Sequence, residues 1–183
     1  MNVLTGNKDA DLIILDKLDD KTLVNFCIVN KEANRLCSID SFWRNRLIKN
    51  YGNIQFKSRT WKQFYLSIFK YWHDDTNIAM RNAANGGLKD LVDFFISKGA
   101  NDWNHGMWYA ALGGHKDLVD FFISKGADNL DYGMKYAALG GHKDLVDFFI
   151  SKGANGWYWG MIYAAEGGHQ DLMIFFQQKL NEQ

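Results

Sequence analysis

A leucine recurs four times at a constant spacing of 27 residues in the C-terminal half of the chain, and the surrounding sequence recurs with it. The run Ala110 to Ala127 is repeated letter for letter as Ala137 to Ala154, and weaker copies begin at Ala83 and Ala164. A unit of this size cannot bury its apolar face alone, so the copies must stack on one another. The period therefore predicts a repeat array, an architecture suited to binding surfaces. The recurring leucines are Leu91, Leu118, Leu145 and Leu172.

Each copy has the pattern of two helices joined by glycines. In the second copy, residues 106–112 end at a Gly-Gly pair, which can close a helix. Residues 115–125 then place a leucine and two phenylalanines at i, i+3 and i+4, an apolar helical stripe. Because about four or five residues remain before the next helix, we predict a tight turn there and little or no β structure. The predicted units are 74–100, 101–127, 128–154 and 155–181.

Composition narrows the possible functions. The 183 residues include 21 Lys plus Arg and 21 Asp plus Glu, so no net charge attracts nucleic acid or an anionic membrane. A hydrophobic content of 47% indicates a folded chain with a core. The sequence has two cysteines, Cys27 and Cys37, and neither a signal-type opening nor a run of transmembrane length. We therefore expect a cytoplasmic, monomeric protein with reduced thiols and without nucleic-acid or membrane partners.

The run Gly-His-Lys-Asp-Leu-Val-Asp-Phe-Phe-Ile-Ser-Lys-Gly-Ala resembles the second helix of the ankyrin repeat, and Met-Trp-Tyr-Ala-Ala resembles the first. The resemblance covers residues 80–173. The Thr-Pro-Leu-His opening of the family is missing, and the unit is shorter than the usual 33 residues. The missing residues would be those of the β-hairpin finger. The resemblance implies a concave binding face formed by the turns and the first helices.

Two columns of the repeat have a different residue in each of the four units, whereas units two and three otherwise differ only in their first four residues. One column lies two residues before the recurring methionine and the other directly after it. Variable aromatic and cationic side chains on an ankyrin-like concave face indicate partner recognition. The alternative is neutral drift on a solvated face. The candidate target-binding residues are Ile78, Arg81, His105, Trp108, Tyr132, Lys135, Trp159 and Ile162.

A recurring histidine invites a metal assignment, which geometry argues against. Stacked repeats lie roughly 10 Å apart, whereas zinc ligands lie about 2 Å from one ion. We interpret His115, His142 and His169 as turn residues that form hydrogen bonds, and we expect no metal or cofactor. The sequence also has no phosphate-binding glycine loop, nucleophile elbow or His-Glu-x-x-His motif. An enzyme is therefore not expected.

Residues 1–51 do not share the 27-residue period and have the pattern of short helices separated by polar turns. The order of their apolar residues resembles an F-box. Ile14 to Leu18 matches its first helix, Leu23 to Asn30 its second, and Phe42 with Trp43 its closing aromatic pair. The overall prediction is an all-α chain with a small F-box-like domain followed by the four-repeat array.

One departure from the F-box pattern concerns its opening Leu-Pro, since Asn7 to Ala10 stand in that place. The resemblance implies binding of a Skp-type adaptor through the apolar residues of residues 10–51. The alternative is a helical cap that only closes the repeat array. The candidate adaptor-binding residues are Leu12, Ile14, Leu15, Leu18, Leu23, Phe26, Val29 and Trp43.

Residues 52–73 are predicted to contain a connecting amphipathic helix with Thr60 as its N-cap. Its basic residues are too few for a membrane-binding signal, so we expect it to connect the two domains. The predicted apolar stripe comprises Trp61, Phe64, Tyr65, Ile68, Phe69 and Trp72.

An F-box followed by ankyrin-like repeats is the layout of substrate receptors in Skp-cullin-F-box ubiquitin ligases. The resemblance implies that the repeats hold a target protein while other subunits transfer ubiquitin to it. Short repeats of this kind are similar to those of F-box/ankyrin proteins of large DNA viruses, which implies a role in the host cytoplasm. The alternative is an ankyrin-like interaction scaffold without a ligase partner.

Overall fold

The computed structural model describes residues 4–52, 60–71 and 75–182. Contacts divide the chain into two compact units, Met1–Trp72 and His73–Gln183. The described residues form helices and no strand, which confirms the all-α prediction. Within the same residues, no helix has the length and apolar character needed to cross a membrane. Two predicted members of the connecting helix, Trp72 and the side chain of Phe69, lie outside the described part.

The described residues of the first unit form five helices, four of which begin at a polar side-chain cap. The Asn7 side chain accepts hydrogen bonds from the amides of Asp9 and Ala10, so the first helix begins well before Ile14. The helix ends at Asp16, so Leu18, which the sequence placed in this helix, lies beyond its end. The helices are α1 (Lys8–Asp16), α2 (Asp20–Val29), α3 (Lys31–Leu36), α4 (Asp40–Tyr51) and α5 (Trp61–Tyr71).

A capping box opens α5. The Gln63 amide donates to Oγ1 of Thr60, and the Thr60 amide donates to Oε1 of Gln63. This geometry confirms the predicted N-cap. From that start, α5 places Phe64, Tyr65 and Ile68 on one buried face that packs within the first unit. These three members of the predicted apolar stripe are therefore part of the core of the first unit.

A buried arginine holds three helices of the first unit together. The Arg46 guanidinium on α4 donates to the carbonyl oxygens of Leu15, Asp16 and Leu18 at the end of α1. Its Nε also donates to the Tyr65 hydroxyl on α5 at 2.8 Å. A cation at the end of α1 satisfies carbonyls that the helix itself leaves without donors. Arg46 thus replaces water as the hydrogen-bond partner of that helix end.

The two cysteines are joined in a disulfide, so the expectation of reduced thiols is wrong. Cys27 lies on α2 and Cys37 directly follows α3, and the turn between the helices brings their Cα atoms to 6.0 Å. That separation suits a disulfide. The indole Nε1 of Trp43 donates to the Cys37 carbonyl at 2.7 Å. The expected cytoplasmic location loses the support that reduced thiols gave it.

The second unit is a row of four helical hairpins. The first helices of successive hairpins pack against one another along the row. Each first helix also packs against the second helix of its own hairpin. Small residues at the contacts, such as Ala110 and Ala137, allow this close approach. The helices are α6 (Thr76–Asn85), α7 (Lys89–Ser97), α8 (Trp103–Leu112), α9 (Lys116–Ser124), α10 (Leu130–Leu139), α11 (Lys143–Ser151), α12 (Trp157–Glu166) and α13 (Gln170–Asn181).

Histidines join each repeat to the one before it. Nε2 of His142 lies 3.1 Å from the Leu112 carbonyl oxygen at the end of the preceding first helix, and His115 and His169 make the equivalent bonds. This confirms the interpretation of these histidines as hydrogen-bonding turn residues. The neighbouring Gly141 has a φ of +77°, and a Cβ there would lie 2.4 Å from the His169 ring. Glycine is therefore required on both conformational and steric grounds.

A second set of bonds joins the turns. Oδ1 of Asn104 accepts hydrogen bonds from the amides of Asp128 and Asn129 in the next repeat, each at 3.1 Å. Asn77 and Asp131 occupy the same position in the first and third repeats and accept equivalent pairs. The amides of these turns donate to side-chain oxygens of the preceding repeat, where a β-hairpin would bond to its own backbone.

A third set runs along the second helices. Nζ of Lys116 lies 4.4 Å from the centroid of the Phe148 ring in the next repeat, and Lys89 and Lys143 repeat this contact. Each lysine also pairs with an aspartate four residues later, such as Asp120. The last repeat has Gln170 in place of the lysine. Each of these lysines is therefore exposed and also bridges two repeats.

Candidate functional site

Most of the predicted target-binding residues lie in one continuous surface on the first helices. The indole ring of Trp108 stacks on Tyr132 of the next repeat, with centroids 4.7 Å apart and planes 24° from parallel. The His105 ring lies 4.4 Å from the same indole. Nε1 of Trp108 donates to the Asn129 carbonyl at 3.2 Å, which holds the ring in place. Positions that vary between repeats are therefore in direct contact with one another.

Lys135 is the centre of this surface. Its ammonium lies 3.9 Å from the centroid of the Tyr132 ring and 5.2 Å from that of Trp159. The residue is only 7% exposed, whereas Tyr132 and Trp159 are 40% and 50% exposed. Among the described residues, no carboxylate lies within ion-pair distance of the ammonium. A cation this deeply placed normally has a hydrogen-bonded or charged partner.

A row of tyrosines extends the surface toward the first repeat. Tyr109, Tyr136 and Tyr163 lie at one repeat position, with neighbouring centroids 5.7 and 6.0 Å apart. The Arg81 guanidinium lies 5.2 Å above the Tyr109 ring, and its buried Nε has no hydrogen-bond partner among the described residues. Burial raises the pKa of Tyr136, and the neighbouring tyrosines raise it further, so its hydroxyl stays neutral.

Sequence reasoning missed this tyrosine row because it sought variable positions, and the tyrosine is constant in three units. A periodic tyrosine directly beside a variable column was the available signal. Ile78 and Ile162 are half-buried on α6 and α12, at the two ends of the row of first helices. We call the whole surface the cation–aromatic face: Arg81, His105, Trp108, Tyr109, Tyr132, Lys135, Tyr136, Trp159 and Tyr163.

The acidic groups at the adjacent turns already have donors. Asp102 lies 2.7 Å from Nδ1 of His105 and accepts the His105 amide. Asp131 accepts the two amides of the following turn. On the second helices, by contrast, lysines and aspartates are paired within each helix. Among the described residues of the first helices, Arg81 and Lys135 are cations without a carboxylate at ion-pair distance.

The predicted adaptor-binding residues of the first unit separate into two groups. Leu15, Leu23 and Trp43 are fully buried in its core, where they support the fold and present no surface. Val29 is 79% exposed, as is its neighbour Ile28 at 71%. The half-buried members are Leu12, Ile14, Leu18 and Phe26. Only part of the predicted set is therefore placed to contact a partner.

A groove between α1 and α4 adds a second apolar surface to the first unit. It has a volume of about 380 Å³ and is lined mainly by Leu12, Ile13, Ile39 and Phe42. Sequence analysis identified Leu12 but not Ile13, which is well exposed beside it. The groove and the exposed end of α2 at Ile28 and Val29 are the apolar surfaces that a protein partner of this unit could cover.

Comparison with known proteins gives this chain no assigned family. No family model matches the sequence, and no curated protein matches it significantly. Within the described residues, no three metal-ligating side chains are grouped in a way that would hold an ion. The functional interpretation therefore depends on the cation–aromatic face of the second unit and on the two apolar surfaces of the first unit.

Proposed function

We propose that this chain is a protein–protein interaction adapter that acts as a substrate receptor of a Skp-cullin-F-box ubiquitin ligase. The first unit, which resembles an F-box in sequence, binds the Skp-type adaptor protein. The ankyrin-like repeats bind a target protein through the cation–aromatic face. The chain itself performs no chemistry, because its role is to place the target near the ubiquitin-transferring subunits.

One observation carries the binding role of the repeats. Residues constant between repeats, such as Leu118 and Phe122, are buried in the core, whereas the variable residues form a connected aromatic and cationic surface. Tryptophan, tyrosine and arginine contribute disproportionately to protein–protein binding energy. Variation at positions whose aromatic and cationic side chains contact each other favours recognition over neutral drift, which would not select such contacts.

The first unit supports the adaptor-binding part of the proposal. Ile28 and Val29 expose adjacent branched apolar side chains at the end of α2, the helix that matches the second F-box helix. Val29 belongs to the residues that the resemblance assigns to the adaptor. Exposed apolar clusters on a folded domain are typical of protein contacts.

The direct test is capture of the full chain by purified Skp-type adaptor. We expect the wild-type chain to bind and the double variant Ile28→Asp/Val29→Asp to lose binding. Both positions are exposed, so the fold should survive, unlike a change at buried Leu23. Asn34→Asp, an exposed change on α3 that adds one negative charge where the double variant adds two, is the control and should bind normally.

Circular dichroism of each variant separates lost binding from lost folding. If the folded wild-type chain does not bind the adaptor, the ligase role is excluded and the first unit becomes a structural cap. An interaction scaffold without a ligase partner would then be the better assignment. If the double variant binds as well as wild type, the end of α2 is not the adaptor contact.

A further inference from the structure

We infer that the cation–aromatic face binds an acidic, extended segment of another protein, with a carboxylate of that segment paired to Lys135. This rests on the proposed role of the repeats as the target-binding part of the chain. Two separate observations support it: a deeply placed ammonium without a counter-ion, and exposed aromatic rings on both sides of it.

Among the described residues, the ammonium of Lys135 has aromatic neighbours but no carboxylate partner. The Lys135 residue is only 7% exposed, and its ammonium makes cation–π contacts with the rings of Tyr132 and Trp159. Cation–π contacts recover only part of the hydration that a buried cation loses. A carboxylate arriving between the two rings would supply the missing partner in a site with little water, where such a bond is strong.

A second cation on the same face sets the spacing of acidic residues that the bound segment needs. Arg81 has an unpartnered Nε and lies on α6, two first helices away from Lys135 on α10. Adjacent packed helices lie about 8–10 Å apart, so the two cations are roughly 20 Å from each other. An extended chain covers about 3.3 Å per residue. Acidic residues about six positions apart would therefore reach both cations.

The competing charges nearby do not fill this role. Asp102 and Asp131 are engaged by His105 and by turn amides, respectively. Between the two cations lie Trp108, Tyr109 and Tyr136, which offer ring faces to apolar side chains of the segment. The occupant that fits is an acidic segment with an aromatic or aliphatic residue between its carboxylates. A basic or nucleic-acid partner would be repelled or would find no phosphate-binding cluster.

The test begins with selection of displayed random peptides of about 12 residues on the full chain, long enough to span both cations. Selected peptides should be enriched in Asp and Glu. Binding of a synthesised peptide is then measured by fluorescence anisotropy against Lys135→Met, Arg81→Gln and the control Lys116→Gln. Lys116 is exposed on α9, one of the second helices, where it pairs with Asp120 of the same helix and lies outside the cation–aromatic face. We expect loss of about tenfold or more for Lys135→Met and less than about twofold for the control.

Stability measurements distinguish recognition from a structural role. Replacing an unpaired buried cation by an apolar side chain of similar length removes a desolvation penalty, so Lys135→Met should raise the urea midpoint. If Lys135 only supported the fold, the Lys135→Met variant would lose stability and peptide binding together. A peptide in which Asn and Gln replace the acidic residues should bind weakly and respond little to Lys135→Met.

Three outcomes would overturn the inference: no selected peptides, selected peptides without acidic enrichment, or unchanged binding by the folded Lys135→Met variant. Adaptor capture is measured on the same variants and should be unaffected. If adaptor capture fails while acidic peptides bind through Lys135, the ligase role is excluded and this inference stands. If capture succeeds and acidic selectivity is absent, the inference alone fails.

Discussion

The two units of this chain are stabilised in different ways. In the first unit, a single residue can make several different contacts at once, such as the bonds of Arg46 to three carbonyls and a tyrosine hydroxyl. In the second unit, the same few bonds recur between successive repeats. A substitution in the first unit can therefore remove several interactions at once, whereas one in the second removes a single copy of a repeated interaction.

The largest effect should come from Arg46→Ala. The change leaves the carbonyls of Leu15, Asp16 and Leu18 without their donor, and each buried unsatisfied carbonyl costs about 1–3 kcal/mol. We expect the first unit to lose about 3 kcal/mol or more of unfolding free energy. Hydrogen exchange, read segment by segment, should show lost protection in α1 and α4 with protection of α8 to α11 retained.

The matched controls for this prediction are Arg46→Lys and Lys31→Ala. Lysine keeps the charge but cannot reach three carbonyls at once, so most of the loss should remain. Lys31 is exposed on α3, and its removal should change stability by less than about 0.5 kcal/mol. Full protection of α1 in Arg46→Ala would show that the stability of the first unit does not depend on this residue.

The next effect compares two glycines with the same backbone conformation. Gly141 and Gly168 both have a φ of +77°, but a Cβ at Gly141 would meet the His169 ring while one at Gly168 has open space. Gly168→Ala should cost about 1–2 kcal/mol for the conformation alone. Gly141→Ala should cost a further 1–3 kcal/mol or so, because His169 must move.

Urea unfolding of both variants measures the difference directly. Since φ is shared, the excess at Gly141 isolates the contact between repeats. Equal losses in the two variants would mean that the histidine moves freely, and that the repeated bonds contribute little to holding the stack together.

A smaller effect is expected from His142→Leu, which introduces the residue that the first repeat carries at Leu88. The variant loses the bond to the Leu112 carbonyl and should be destabilised by about 1 kcal/mol. The stack should remain intact in circular dichroism, because two equivalent bonds remain elsewhere. Global unfolding of the second unit would contradict the picture of independent, repeated bonds.

The most local effect concerns acid and the start of the first unit. Burial raises the pKa of Asp11, but hydrogen bonds from Thr5 and Gly6 outweigh it and hold that pKa below its ordinary value of 3.8. The stabilisation is therefore fully present above pH 3.8 and is lost as pH falls through the lower folded pKa. Exchange protection of the Thr5 and Gly6 amides should fall over that range.

Two variants isolate the group responsible for this acid response. Asp11→Asn should remove the dependence on pH, because an amide does not titrate. Asp9→Asn, an exposed neighbour on α1, should retain it. A response that survives in Asp11→Asn would assign the acid effect to another carboxylate.

The sequence predicted the features that depend on local and periodic patterns. The glycine pairs and the 27-residue period predicted the helical hairpins, and the resemblance to ankyrin repeats implied that the recurring histidines form hydrogen bonds in the turns. Thr60 was correctly identified as a helix cap because a cap depends on residues three positions apart. These features need no knowledge of distant contacts.

The features that sequence reasoning missed depend on packing between separate segments. Arg46 reads as one more surface cation in an amphipathic helix, and only the arrangement of α1 and α5 around it shows three carbonyls in reach. The pairing of Cys27 with Cys37 likewise follows from the α2–α3 turn. Lys135 was identified as a variable position, but its burial depends on ring neighbours from two repeats.

The recurring bonds between repeats use equivalent positions at each successive junction, and this bears on how such a chain can evolve. A unit copied between the second and third repeats would inherit the histidine, the turn acceptor and the lysine that its neighbours require. A unit placed after the fourth would meet Tyr158 and Gln170 where an acceptor and a lysine are needed. Duplication within the interior can therefore lengthen the array, while substitutions at the variable columns change its specificity independently.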